Sequence, residues 1–561
     1  MLELRNVSLA SGPAAEAAWL LRDISARFSL GRLHAVVGPS GCGKSTLLKV
    51  IAGVRQPNEG SVHWEGRDLD VHDLAPHEIG YVPQFSIAFD FLTVAESVEI
   101  SLRLRVGGLS QTEREARTTH FLTEVGLEDI ADRRVGILSG GQKRRLALAL
   151  EMVSEPLLLL CDEVTSGLDA KSENEVVHLL SRISTHDRRT VLSVTHSLRH
   201  LELHDSVAVL YEGRLVYHGA PKLLNHYFQI DSAEKLFPIL STRSAAEWHE
   251  LWTKHASHYQ HESADLIKEK KAGAVEFQRP DPLTQFLTVL GRRWKLFLRD
   301  RGQIALQLAL LFGFPCLVVI FAWGGLPQIQ NLSGISTNVL QQMRETAAFS
   351  LQSSRAATLV SGLVMFQVIL LTLMGSNNAA REIAGERAIF EKEKFSGLRP
   401  VSYIASKVAF LAALVIAQSA WMGIFVSMIC RFPGDLFAQV AVLILTNAAM
   451  TFVCLGISSL MRSAENASLL CVYLVGFQLP LSGAVLALPH VIGAMTRPFI
   501  AAYWGWSGYL QTMRETRFYD FVHTISQTDL AAIELCGWVL LMHAVSGILV
   551  AYLGAQHSRW E

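Results

Sequence analysis

The stretch LHAVVGPSGCGKSTLLKVIAG, residues 33–53, decides the first half of the fold. It reads as a strand, a glycine-rich loop and a helix, with G-x-x-x-x-G-K-[ST] satisfied at Gly38, Gly43, Lys44 and Ser45. Small residues let backbone N–H groups wrap phosphates, Lys44 reaches the outer ones, and Ser45 can ligate Mg²⁺. The whole loop, Gly38, Pro39, Ser40, Gly41, Cys42, Gly43, Lys44, Ser45 and Thr46, is expected to hold the phosphates of ATP.

Working outward, PLLLLCDEVTS at 156–166 supplies the complementary chemistry. Leu157 to Leu160 predict a short strand buried on both faces, as a parallel sheet uses. Asp162 at its end suits Mg²⁺, and Glu163 is placed to orient or deprotonate an attacking water. A second glycine-rich turn, LSGGQ at 138–142, opens into a helix and offers another seat for phosphate at the positive end of its dipole.

A chain of 561 residues is too long for one ordinary domain. Hydrophobic residues make up 50% and charged residues 18%, and the apolar runs crowd the part beyond about residue 280. A formal net charge of −1 argues against a nucleic-acid partner. None of the seven cysteines has a CxxC spacing, so packed thiols are expected and a disulfide framework is not. His255, His258 and His261 step by three and drift around a helix, with no cysteine or acid to complete a tetrahedral metal set.

Six apolar segments, 304–323, 357–377, 408–429, 437–460, 467–488 and 530–553, each come near the roughly 20 residues that cross a bilayer as a helix. Arg292, Arg293, Lys295, Arg299 and Arg301 precede the first, and Arg381, Arg387, Lys392, Lys394, Arg399 and Lys407 follow the second. The first two opposite loops carry only Arg344 and Arg355, and then Arg431; Arg497, Arg514 and Arg517 fall in the long segment after the fifth, where long loops count less. Both termini are therefore predicted to be cytosolic.

The first half resembles an ABC-family nucleotide-binding domain, on GPSGCGKST, YVPQ, LSGGQ, LLLLCDE, SGLD and VTH in family order. The position after Glu163 is Val164, where the family usually has proline, and the stretch VSLASGPAAEAAWLLRD ahead of the loop offers only Trp19 for an adenine contact. The resemblance implies that Gln84 senses Mg²⁺, with Ser45 and Asp162 as ligands. It makes Asp169 a contact to a partner subunit, and gives His196 the γ-phosphate. It also implies that Ser139, Gly140, Gly141 and Gln142 cap a nucleotide held by a second copy's Lys44 loop, with Glu163, His196 and Lys44 catalytic.

The order of halves makes the whole chain similar to ABCG-type half transporters, particularly the shorter prokaryotic ones. The fold class expected is an α/β P-loop ATPase domain followed by an all-α six-helix membrane domain. The expected parts are an ATP-binding domain over 1–225, a cytosolic linker over 226–280 and a permease domain over 281–561. FLTVLGRRWKLFLRD resembles an amphipathic connecting helix, with Phe286, Leu287, Leu290, Trp294 and Phe297 recurring against basic neighbours.

NNAAREIAGERAIFEKEKFSGLRPVSYIASK is similar to the family's coupling loop, which puts Glu382, Glu386, Arg387 and Glu393 in that role. LPLSGAVLALPHVIGAMTRPFIAAYWGWSGYLQTM resembles the fifth span and its outer re-entrant segment, with Pro480 and Gly483 suggesting a break. The resemblance further implies a homodimer in the plasma membrane, with a cavity lined by Phe366, Gln367, Leu370, Phe477, Gln478 and Leu481. Its cargo would be a lipid-like or amphipathic substrate moved outward at the expense of ATP. An ATPase that remodels a membrane partner without moving cargo is the alternative reading.

Overall fold

The computed structural model describes the chain apart from residues 13–17, 73, 85–87, 188, 261–277, 328, 330–345, 485–487, 517–518, 521, 524–527 and 559–561. His261, Arg344 and Arg517 lie outside the described residues. Two compact units emerge. One comprises Met1–Thr288 together with Glu391–Leu398, and the other Val289–Phe390 with Arg399–Ser558.

Among its described residues the first unit holds ten strands: β1 (Leu2–Ser11), β2 (Ala18–Phe28), β3 (Leu33–Val37), β4 (Glu59–Trp64), β5 (Arg67–Asp68), β6 (Ile79–Val82), β7 (Leu158–Asp162), β8 (Thr190–Thr195), β9 (Ser206–Tyr211) and β10 (Arg214–Gly219). A four-stranded antiparallel sheet runs β2-β1-β4-β5, and a six-stranded sheet runs β10-β9-β3-β8-β7-β6. In the larger sheet all neighbours are parallel except β10 on its edge. Both faces are covered, so every residue of β3, β6, β7 and β8 is buried, which explains their unbroken apolar runs. The apolar run at 157–160 enters the sheet one residue late: Leu157 precedes β7 and is exposed.

Register sets up the site. Val37 pairs with Thr195, Asp162 with Val194, and Val82 with Cys161, so the loops after β3, β6, β7 and β8 leave the sheet at one edge. Helices follow: α1 (Lys44–Ile51), α2 (Val94–Arg105), α3 (Gln111–Glu124), α4 (Gly140–Met152), α5 (Ala170–Asp187), α6 (Pro221–Phe228), α7 (Leu236–Leu240) and α8 (Ala245–Gln260). Capping boxes start α2, α3 and α4, at Thr93/Glu96, Ser110/Glu113 and Ser139/Gln142. The expected linker is folded as far as Gln260. Phe228, Trp252 and Tyr259 gather around Tyr217 at ring distances of 6.0, 5.5 and 6.0 Å, and Trp248 joins the same core. Aromatic burial of this kind holds α6 to α8 on the sheet.

The helix α9 (Pro282–Arg299) leads into the second unit, built from α10 (Arg301–Ala322), α11 (Thr346–Ala379), the first turn of α12 (Arg387–Phe395), whose residues from Glu391 on fold with the first unit, α13 (Pro400–Cys430), α14 (Leu436–Leu460), α15 (Ala464–Leu481), α16 (His490–Thr496), α17 (Ala501–Gln511) and α18 (Ile533–His557). Among the described residues six helices are long and apolar enough to cross a membrane. The fifth stops at Leu481 instead of running to 488. Pro480 lacks a backbone donor, and Gly483 takes a left-handed φ of 75°. After it α17 is buried at every residue from Ala501 to Leu510, yet at 11 residues it is too short to span.

On α9 Lys295 is exposed, but two of the other basic residues turn inward. Arg292 and Arg293 are buried, while Leu283, Leu287 and Leu298 are exposed. Arg293 turns inward because Glu382 receives it through two bonds, 2.6 and 2.8 Å. A second polar knot ties α10, α11 and α13. Gln307 donates to Asn378, Asn378 to Gln418 and Gln418 back to Gln307, each at 2.8 Å.

Candidate functional site

The phosphate loop joins the end of β3 to α1. A Cβ at Gly38 would lie 2.2 Å from Leu210 O, and one at Gly43 would lie 2.8 Å from Leu20 O, where the backbone also has a φ of 102°. Neither position tolerates a side chain without moving backbone. Lys44 is buried and its ammonium donates to Gly38 O and Pro39 O, both at 2.9 Å, which bends the loop around the lysine. Ser40 and Gly41 are exposed, Thr46 is half-buried, and Cys42 packs inside, where burial pushes its thiol up. Trp19 is exposed on β2, beside the Leu20 that touches the loop.

Ser45 Oγ donates to Asp162 Oδ1 at 2.8 Å, bringing together side chains 117 positions apart. The other carboxylate oxygen accepts from the Tyr81 hydroxyl at 3.1 Å. Burial raises the Asp162 carboxyl, and these two hydrogen bonds oppose it. Glu163 follows with a left-handed φ of 47°, unusual for a residue with a side chain, at the point where its N–H donates to Val194 O. Gln84 Nε2 donates to Glu163 Oε2 at 2.9 Å, and His196 Nδ1 lies 3.9 Å from the same oxygen. Arg144 of α4 donates to Gln84 O. Ser45, Asp162, Gln84, Glu163 and His196 therefore lie together at the carboxyl edge of the sheet. Hard oxygen donors from Ser45 and Asp162 fit Mg²⁺.

The signature turn is a separate piece. Ser139 and Gly140 are exposed. Ser139 Oγ accepts from Gln142 N, and Gln142 Oε1 accepts from Ser139 N at 3.0 Å. Gln142 thus caps its own helix, while the helix N-terminus stays open beside the glycines. A Cβ at Gly141 would lie 3.3 Å from Ser172 Oγ, so the Asp169 turn packs against the signature turn. Asp169 accepts from Lys171 N, Ser172 N and Ser172 Oγ, the last at 2.7 Å, and these bonds lower its carboxyl.

The residues expected to couple ATPase and membrane are split between the units. Glu382, Glu386 and Arg387 fold with the second unit and Glu393 with the first. Glu382 binds Arg293 and also Lys407 at 3.0 Å, and Lys407 binds Glu386 at 2.6 Å. Arg387 donates to Ser459 O and Met461 O. Sequence reasoning counted Lys407 only as a loop charge, although a lysine inside an apolar helix, 1% exposed at its side chain, signals a buried partner.

In the first unit Glu151 of α4 is equally hidden, taking Arg105 through two bonds at 2.9 and 3.0 Å and Lys392 at 2.9 Å. Its signal in LALALEM is a single acid on an apolar helix. Of the expected cavity residues, Gln367, Leu370 and Gln478 are buried inside the second unit, and Gln478 Oε1 accepts from Ala502 N at 3.0 Å. Phe366 and Leu481 are half-buried, and Phe477 is exposed.

A phosphate loop, a Mg²⁺-suited Ser–Asp pair, a Glu163 that accepts from Gln84 and an LSGGQ helix start, followed among the described residues by six membrane-length helices, put a nucleotide-binding unit and a membrane-type unit in one chain. Residues 21–166 match the ABC transporter family and residues 284–506 the ABC-2 type transporter family. Over 229 residues the chain is 35% identical to the sulfate/thiosulfate import ATP-binding protein CysA of Pectobacterium atrosepticum, which covers 40% of this chain and 68% of that protein. Over 525 residues it is 27% identical to the ABC transporter ATP-binding/permease protein Rv1747 of Mycobacterium tuberculosis, covering 88% of this chain and 56% of that one. The chain thus spans little more than half the length of that relative. A solved dimeric ATP-binding cassette, MJ0796 bound to ADP and Pi, is 29% identical and covers 39% of this chain and 99% of its own, with a TM-score of 0.36. The chain belongs to the ABC transporter family, with an ATP-binding ATPase domain and an ABC-2 type membrane domain in one multi-pass polypeptide.

Proposed function

We propose that two copies of this chain form an exporter of a lipid-like or amphipathic substrate at the plasma membrane, with both termini cytosolic, along the lines of an ABCG-type half transporter. The observation that carries the dimer is the division of labour within one chain. Lys44 within its loop, Ser45 bonded to Asp162, and Gln84 bonded to Glu163 lie along one edge of the sheet, while Ser139 and Gly140 are exposed at an open helix start. A helix N-terminus stabilises anions, so the signature turn suits the phosphates of a nucleotide held by the other copy. Mg²⁺ would be held by Ser45 and Asp162, with Gln84 beside them. Glu163, positioned by Gln84, would orient the attacking water.

Leu469, Tyr473 and Phe477 form an exposed apolar row on α15, which suits an apolar cargo or lipid better than a small ion. The relative named for sulfate/thiosulfate import matches the ATPase part alone, so it does not speak to direction. The test is ATP hydrolysis by the purified protein in lipid nanodiscs, wild type against Glu163→Gln, across a panel of lipids and amphipathic compounds. Hydrolysis should fall at least about 100-fold in the variant, and one compound class should stimulate wild type. Compounds that stimulate should also move across proteoliposomes with ATP. Stimulation without movement would favour the remodelling reading instead.

A further inference from the structure

Within the first unit, the turn between α2 and α3 and the run that leads into α9 enclose a cavity of about 400 Å³, lined in part by Arg103, Gly107, Gly108, Arg114, Arg279 and Asp281. Backbone contacts fix its walls. Gly107 N donates to Gln278 O at 2.8 Å, and Gln285 Nε2, in the first turn of α9, donates to Leu104 O at 3.1 Å. A Cβ at Gly107 would lie 2.9 Å from Arg279 O, and Gly108 has a left-handed φ of 77°. Two glycines in a row thus let the 278–280 run close down on the turn.

Three guanidinium groups and a single carboxylate line this space, and the arginines are poorly matched by the protein itself. Asp281 Oδ2 accepts from Thr284 N at the start of its own helix, at 3.4 Å. Arg103 has only Glu99, 3.8 Å away on the same helix, and an exposed pair of that kind holds weakly. Arg114 gives Nη1 to Leu109 O, while its Nε is buried with no acceptor. Arg279 is exposed and makes no hydrogen bond or ion pair among the described residues. A buried donor without an acceptor is costly, and like charges around one cavity repel. An anion with several oxygens relieves both costs, and guanidinium forks match phosphate oxygens. The volume falls within the roughly 300–1,000 Å³ of small-molecule sites, more room than a bare phosphate ion fills. Next to it α9 leaves Leu283 and Leu287, one turn apart, 60% and 55% exposed. A cationic cavity with an apolar edge suits a charged headgroup joined to hydrocarbon.

We propose that this cavity binds a phosphate ester through Arg103, Arg114 and Arg279, and that the neighbouring leucines make an anionic phospholipid its source. None of these residues belongs to the ATP site or to the helices proposed for cargo, so the site adds a lipid ligand to the ATPase unit whatever the chain transports.

The test reads hydrogen exchange at 103–110 and 278–284 in the full chain, held in nanodiscs of phosphatidylcholine or of phosphatidylcholine mixed with phosphatidylglycerol. Phosphatidylglycerol should slow exchange in both stretches, whereas soluble glycerol phosphate added to phosphatidylcholine discs should not. Arg103→Gln combined with Arg279→Gln should abolish the slowing while keeping ATP affinity within about twofold, which shows that the unit is folded. Arg117→Gln, on α3 but outside the lining, should leave the slowing intact. No slowing by phosphatidylglycerol or glycerol phosphate, or slowing that survives the double substitution, overturns the proposal. Equal loss in Arg117→Gln overturns it too, because general surface charge then explains the effect. Slowing by glycerol phosphate in phosphatidylcholine discs would uphold the phosphate site and overturn lipid as its source.

Discussion

Glu151 has two buried cations on one carboxylate, and its acidity follows. Burial by itself raises the carboxyl, but the charges and hydrogen bonds of Arg105 and Lys392 outweigh it and hold the group at about 2, against an ordinary 4.5. A carboxyl depressed on folding stabilises the protein above its unfolded value, and that contribution is lost as pH falls from 4.5 through about 2. The full contribution is on the order of 3 kcal/mol. Between about pH 5 and about pH 3 the wild-type unfolding midpoint in detergent should therefore fall further than that of Glu151→Gln. Equal falls in the two proteins would show that Glu151 is not linked to acid stability. The variant starts lower, because it leaves Arg105 and Lys392 buried without their anion. Tyr81 shows the same dependence on surroundings: the motif YVPQ pointed to Gln84, yet the tyrosine hydroxyl also reaches Asp162.

At the scale of elements, the membrane helices are tied by amides as well as by charge. Gln307, Asn378 and Gln418 close a ring in which each amide both donates and accepts, so no polar group in the trio is left over. Changing Gln418 to Leu removes its bonds to both neighbours and strands them in an apolar setting. The expected loss is about 1–3 kcal/mol, read as a lower unfolding midpoint in detergent with the ATPase unit's own nucleotide affinity unchanged. Replacing all three residues by Leu should recover part of that loss, since no unsatisfied amide then remains. A triple variant worse than the single one would count against the ring. Helix ends follow the opposite logic, being written locally: Thr93, Ser110 and Ser139 each accept from the residue three along, as the sequence S/T-x-x-E/Q dictates.

For the whole molecule, the decisive question is whether each ATP site borrows its signature turn from a second chain. Lys44→Ala and Ser139→Arg should each abolish hydrolysis when expressed alone, because each then spoils both sites of a symmetric pair. Co-expressed, the mixed dimers place both defects in one site and leave the other whole. Activity should return to roughly a quarter of wild type, half the dimers having one of two sites. No recovery, despite mixed dimers isolated through two different tags, would mean that each chain completes its own site.

Much of the ATP site could be read from the sequence because its chemistry is local. The phosphate loop, Asp162–Glu163 and the LSGGQ helix start are short runs whose backbone shape and charge do not depend on distant partners. The membrane-length helices were legible for the same kind of reason, since apolar length is a property of a contiguous segment. Tertiary structure alone decided which polar residues inside apolar helices meet. Glu151 with Lys392, Arg293 with Glu382 and Gln307 with Gln418 are separated by 89 positions or more, and no periodicity along the chain encodes their pairing. It likewise decided that the 391–398 segment folds with the ATPase unit and that α15 ends at Leu481. The physical reason is that a buried charge or amide is tolerated only beside its complement, and three-dimensional packing chooses that complement.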